Sequence, residues 1–200
     1  MKPVEKVHQN YVLSRRVRIL AGHLAQLLPP GASVLDVGSG DGLLALELLR
    51  RRPDVRIQGV EVRPRTPTAI PVAPFDGRSL PFDDASFDVL MLVDVLHHAE
   101  DPKLLLREAA RVARGTILIK DHTCDRCLAV PTLRFMDRVG NARHGVALPY
   151  RYWRRQTWLD SFRALGLKVK LWKNDLGLYP FPANWLFGGS LHFLAQVSGA

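Results

Sequence analysis

Apolar positions along the chain change period several times, and each change marks an element. From about Asn10 to Leu28, Val12, Val17, Leu20, Leu24, Leu27 and Leu28 recur at helical spacing until Pro29-Pro30-Gly31 ends the run. Ser33 to Val37 reads as a short buried strand that runs into Gly38-Ser39-Gly40-Asp41-Gly42. A helix is expected from about Leu43 to Arg52, stopped by Pro53, and a second strand from Val55 to Glu61. Four prolines between Arg63 and Pro74 exclude a regular helix there and leave a short, frayed third strand over Ile70 to Pro74.

Phe87 to Val93 carries the strongest buried-strand pattern. Pro102 suits the first turn of a helix bearing Leu104, Leu105, Ala109 and Val112, and Gly115 to Lys120 forms another strand. Cys124 to Val139 reads as helix, Asn141 to Arg155 as a basic loop, and Trp158 to Leu165 as a helix closed by Gly166. Leu167 to Trp172 and Leu191 to Val197 are the closing strands. Strands that alternate with helices and are apolar throughout predict an α/β fold, a doubly wound, mostly parallel sheet covered by helices on both faces.

The 200 residues, 47% hydrophobic and 24% charged, fit one globular domain. Met1 to Lys6 lacks a signal-peptide pattern, and no stretch is long and apolar enough to span a membrane. Two cysteines make no disulfide framework and fit the cytoplasm. The formal charge of +9 would attract polyanions, RNA or an anionic membrane, yet it is scattered and reads first as a solubilising surface, so no specific nucleic acid is expected from it, though RNA stays open.

A strand ending in Asp36 followed by three alternating glycines makes a tight turn that a ligand can approach closely. The dinucleotide pattern G-x-G-x-x-G fails, because Leu43 stands at the third glycine, and no Gly-Lys-Ser/Thr phosphate loop exists. Val34-Leu35-Asp36-Val37-Gly38-Ser39-Gly40-Asp41-Gly42 instead resembles the first motif of class I S-adenosylmethionine-dependent methyltransferases. Glu61, the Asp76–Val89 segment and Asp94-Val95-Leu96-His97-His98 extend the resemblance in family order. The proline-rich stretch from Arg63 to Pro74 departs from it, since the family usually has a helix there.

The resemblance implies a Rossmann-like fold with an antiparallel last strand, and S-adenosyl-L-methionine as cofactor, leaving as S-adenosyl-L-homocysteine. It assigns Asp36, Gly38, Ser39 and Gly40 to the cofactor corner and Glu61 to the ribose hydroxyls. Val62 would pack on the adenine, Asp76 would meet its amino group, and Gly77 would let it approach. At Asp94 and Val95 the main chain would meet the methionine end. It also divides the single domain into a helical cap (1–30), a cofactor-binding core (31–121) and a substrate-side region (122–200).

Candidate bases are His97 and His98 after the fourth strand and His122 after the fifth, all of which alternatively shape their loops. Tyr150, Tyr152 and Trp153 are candidate substrate contacts in the basic loop. Tyr11 and Arg15 either close over the cofactor or simply pack. His122, Cys124 and Cys127 offer a single CxxC without a second ligand cluster, so no metal is expected. The aromatic run Tyr179 to Phe187 would cover the sheet, line an apolar pocket or touch a membrane surface.

The similarity is to the ubiquinone/menaquinone-biosynthesis-like branch, which implies methyl transfer to a small organic acceptor by in-line displacement. A methyltransferase for RNA or protein, and a non-catalytic cofactor-binding module, are the alternatives.

Overall fold

The computed structural model describes residues 14–141 and 149–199. Its elements are α1 (Ser14–Ala25), β1 (Ser33–Val37), α2 (Leu43–Arg51), β2 (Arg56–Glu61), β3 (Val72–Pro74), β4 (Phe87–Val93) and α3 (Pro102–Val112). After them come β5 (Ala113–His122), α4 (Ala129–Asn141), α5 (Arg155–Ala164), β6 (Lys168–Lys173), α6 (Ala183–Phe187) and β7 (His192–Ser198). One seven-stranded sheet runs β3-β2-β1-β4-β5-β7-β6, parallel except for β7, which is antiparallel to both β5 and β6. The expected α/β class, the parallel majority and the antiparallel last strand are all present.

Pleating sends successive residues of one strand into two different cores. In β4, Val89 and Met91 join Leu20 and Leu24 of α1 and Leu48 of α2, whereas Leu90 and Leu92 join Leu105 of α3 and Trp158 of α5. Burial on both faces explains why this strand is apolar throughout. Helix α3 starts cleanly because Asp101 accepts the Lys103 and Leu104 amides at 3.0 Å, with Pro102 in the first turn. A cap of this kind contributes about 1 kcal/mol. From its last turn Arg111 donates to the Phe82 and Leu80 carbonyls at 2.8 and 3.1 Å, which fixes the segment after Asp76.

Several boundaries differ from the sequence expectation. The N-terminal helix ends at Ala25 rather than Leu28, and Arg52 clasps the freed carbonyls of Ala25 and Leu28 at 2.9 and 2.7 Å. The third strand shrinks to Val72–Pro74, because Ile70 leaves the sheet to pack against Gly42. Strand β5 is longer than expected, since pairing with β7 continues through His122↔His192. His122 therefore ends a strand rather than following one. Cys124 and Cys127 precede α4 instead of lying one helical turn apart within it.

Candidate active site

Between β1 and β4 the strand order reverses, and in open parallel sheets the carboxyl ends of the strands at such a point are where ligands bind. The turn after β1 is wound tightly: Gly38, Gly40 and Gly42 have φ of 71°, 60° and 77°. A Cβ on Gly38 would lie 2.6 Å from Val95 Cγ2, so that glycine lets the loop after β4 close onto the turn. At Gly40 a Cβ would meet nothing within 4 Å, which leaves open space beside the turn.

Glu61 leans across from β2 and accepts the Gly40 amide on Oε2 and the Val62 amide on Oε1, each at 2.9 Å. Val62 is exposed, and Gly77 comes so near that an added Cβ would stand 3.2 Å from Val62 Cγ2. Asp76, also exposed, holds its own loop by accepting the Arg78 and Ser79 amides at 2.8 and 2.7 Å, which lower its carboxyl below the usual range. Asp36 is buried at the end of β1; burial, with the Glu61 charge adding to it, pushes its carboxyl up to about 7. The Ser39 hydroxyl is buried without a hydrogen-bond partner. Open space at Gly40 and a carboxylate fixed at the strand tip suit a nucleoside bearing hydroxyl donors.

A second polar group forms where β4 and β5 end, and the three candidate histidines meet in it. The rings of His98 and His122 stand 4.0 and 4.6 Å from that of His97. His97 Nδ1 lies 2.7 Å from Asp121 Oδ1, while the other carboxylate oxygen accepts the Leu96 amide at 3.1 Å. Burial lowers the His97 pKa, but Asp121, Asp94 and Asp137 together outweigh it and the net shift is upward. Burial and the neighbouring His97 charge lower His98; burial and the Lys120 charge bring His122 to about 4.

Asp94, placed at the cofactor by the sequence, turns its side chain away from the glycine turn. The carboxylate pairs with the buried ammonium of Lys120 and, at 3.3 Å, with Arg16. These cations hold it ionised against the cost of burial. Its own φ is 58°, a left-handed conformation that costs a non-glycine residue about 1–2 kcal/mol.

Of the expected substrate contacts, Tyr152 reaches the histidines, with its ring 6.0 Å from His97 and its hydroxyl on Asp137. Tyr150 lies 6.4 Å farther along, next to Tyr152. Trp153 is half-buried, and its ring packs 4.7 Å from Trp158 against the apolar core. Arg15 donates to the Gly177 carbonyl at 3.3 Å, and Tyr11 lies outside the described residues.

Among the described residues two trios, Asp94-His97-His122 and His97-His98-Asp137, bring ligand-type atoms within 4.8 Å of one another, and neither includes a cysteine. In the first, Lys120 and Arg16 already neutralise Asp94.

Sequence reasoning missed Arg16, Lys120 and Asp137. Lys120 was visible as a charge closing an apolar strand, and Asp137 as a carboxylate in register with Ala129 and Leu133 on one helix face. Nothing local marked Arg16.

The strand order, glycine turn and acidic tip of the second strand define a class I, Rossmann-like methyltransferase fold. Residues 8–179 match the family described as "Methyltransferase domain", and the chain belongs to that family. An uncharacterized methyltransferase from Mycobacterium sp. (strain KMS) is 40% identical over 103 residues, covering 48% of this chain and 40% of that protein. A 27-O-demethylrifamycin SV methyltransferase from Amycolatopsis mediterranei is 29% identical over 131 residues, 55% of this chain and 48% of that protein. The chain thus spans about half the length of these curated relatives or less. Its fold is also similar to a methyltransferase solved in complex with the Trm112 activator of Haloferax volcanii. That likeness has a TM-score of 0.69 at 19% identity, covering 100% of this chain and 98% of the other.

Proposed function

We propose that this domain binds S-adenosylmethionine at the glycine turn and transfers its methyl group to a small organic acceptor. The observation that carries the reading is Glu61. Its carboxylate is fixed by two main-chain amides at the edge of open space, beside a buried hydroxyl that lacks a partner. Glu61 would accept the ribose hydroxyls, while Val62 and Gly77 form the wall for the adenine. Asp36 and Ser39 line the floor, and the main chain at Asp94-Val95 borders the methionine end.

The cofactor supplies a sulfonium-bound methyl group open to in-line displacement. The protein's own task is therefore orientation and exclusion of water, for which a well-aligned pair gains about 7–11 kcal/mol. A base matters only when the nucleophile arrives protonated. His98 suits that role best of the three histidines. It is half-buried and kept neutral, whereas His97 is locked to Asp121 and His122 is buried. Tyr152 would border the acceptor.

A small acceptor agrees with the Amycolatopsis relative, a 27-O-demethylrifamycin SV methyltransferase. Calorimetric titration with S-adenosylmethionine tests the reading first: a saturable isotherm is expected, weakened in Glu61→Ala by roughly 1–3 kcal/mol. A flat isotherm on folded protein overturns it. Label passing from methyl-labelled cofactor into metabolite pools then separates small acceptors from RNA and protein.

A further inference from the structure

Helix α4 has its chemistry turned inside out. Ala129, Leu133 and Asp137, spaced four residues apart, face inward, and the first two pack against Leu191. Its solvent side carries Val130, Phe135 and Val139, with Leu128 just before the helix; Leu128 is 72% exposed and Phe135 59%. Exposed Arg134 and Arg138 are interleaved with them. Phe135 stacks 6.3 Å from Phe187, so this surface continues into α6 and the residues just before it. There Phe181 is 91% exposed, Trp185 76%, and Leu186 is exposed too. Among the described residues, seven of the ten large exposed hydrophobic side chains thus fall on these two neighbouring segments.

We propose that α4 and α6 form a docking face for an anionic lipid bilayer. The aromatic and aliphatic side chains enter the boundary between headgroups and acyl chains, while Arg126, Arg134 and Arg138 meet the lipid phosphates. Arginine stems can lie along apolar surface with the charge still at headgroup level. The charge matches: Asp137 is the one acid in α4 and it is buried, α6 has none, and the chain as a whole carries +9.

A second copy of the chain suits the face less well. A two-fold contact would set the arginine-studded surface against itself. RNA would engage the arginines yet leave Leu128, Val130 and Val139 without an apolar partner. Docking needs no cofactor, so it stands or falls separately from methyl transfer. The inner side of α4 bears Asp137, 3.7 Å from His97 Nε2, so the histidines would lie one helix diameter, about 10 Å, from the lipid. On the methyl-transfer reading, an acceptor dissolved in the bilayer fits that distance.

Flotation of the full chain with vesicles tests the docking face. Vesicles of equimolar phosphatidylglycerol and phosphatidylcholine should carry the protein up, and pure phosphatidylcholine should carry much less. Because the other three tryptophans are buried or half-buried, emission should move to the blue and lose iodide quenching chiefly through Trp185. Phe135→Ser combined with Trp185→Ser, and separately Arg134→Glu combined with Arg138→Glu, should each weaken binding at least roughly tenfold. Circular dichroism and the melting temperature should stay at wild-type values in both.

Failure of the wild type to float with the anionic vesicles overturns the proposal, and so does unchanged binding by both variants. Self-association that Phe135→Ser abolishes assigns the face to a second copy. RNA binding lost in the arginine variant, with no vesicle binding by the wild type, assigns it to nucleic acid. Either result overturns the bilayer.

Discussion

The glycine turn and the histidine cluster lie side by side at the same edge of the sheet, but they handle charge in opposite ways. At the turn, burial and the Glu61 charge hold the Asp36 carboxyl up to about 7, and the Ser39 hydroxyl has no hydrogen-bond partner. In the cluster, Asp94 has Lys120 and Arg16, Asp121 has His97, and Asp137 has Tyr152. The cluster's carboxylates are paired within the protein, although the buried Nδ1 atoms of His98 and His122 lack hydrogen-bond partners, as the Ser39 hydroxyl does at the turn. Buried polar groups that lack partners cost stability, and a fold keeps them where a ligand supplies what is missing. Asp94 marks the border: its main chain belongs to the turn and its carboxylate to the cluster.

Breaking the cluster should have the largest effect. Asp121→Ala strands a buried His97 and the Leu96 amide, and should lower unfolding stability by about 3–5 kcal/mol in a denaturant titration. The turn would be largely spared, so residual folded protein should still bind cofactor. His98→Ala should leave stability nearly intact and slow transfer to a protonated acceptor by about 10²-fold. An unchanged rate with a retained pH profile would remove His98 from the chemistry.

Asp36 sharpens the contrast through pH. Its folded pKa is raised, so between about pH 4 and about 7 the unfolded chain has lost a proton that the fold retains. Stability contributed by this group is therefore complete below that window and falls as pH rises through it, by up to about 1.4 kcal/mol per pH unit. Asp36→Asn should abolish that part of the slope in melts run across the window. Glu61→Gln should narrow the window from its upper end, because the Glu61 charge is part of what raises Asp36. The smallest effect is expected at Gly40→Ala, where a left-handed φ costs about 1–2 kcal/mol and no neighbour is struck.

How far each region could be read from the sequence follows the same division. The turn announced itself because its signal is local. Strand, glycines and helix occupy Ser33 to Arg51 without interruption, and Glu61 closes the very next strand. Val62, Asp76 and Gly77 were named from the sequence, and the fold brings Val62 and Gly77 together. The cluster draws on α1, β4, β5, α4 and the loop before α5, and only its histidines stood out beforehand. Trp153 shows what the sequence did not indicate: an aromatic residue in a basic loop packs its ring beside Trp158 at the edge of the core.

Hydrophobic periodicity, glycine and proline placement, and the acid at the end of the second strand by themselves determined the strand–helix alternation, the parallel sheet and the glycine turn. Each acts over one or two elements, where backbone geometry leaves few choices. Tertiary structure alone decided that Arg16 and Lys120 would draw Asp94 away from the turn, that β7 would extend β5 to His122, and that α4 would show its hydrophobic residues to solvent. Those outcomes depend on which distant side chains compete for the same charge, strand edge or buried surface, and that competition arises only once the chain has closed.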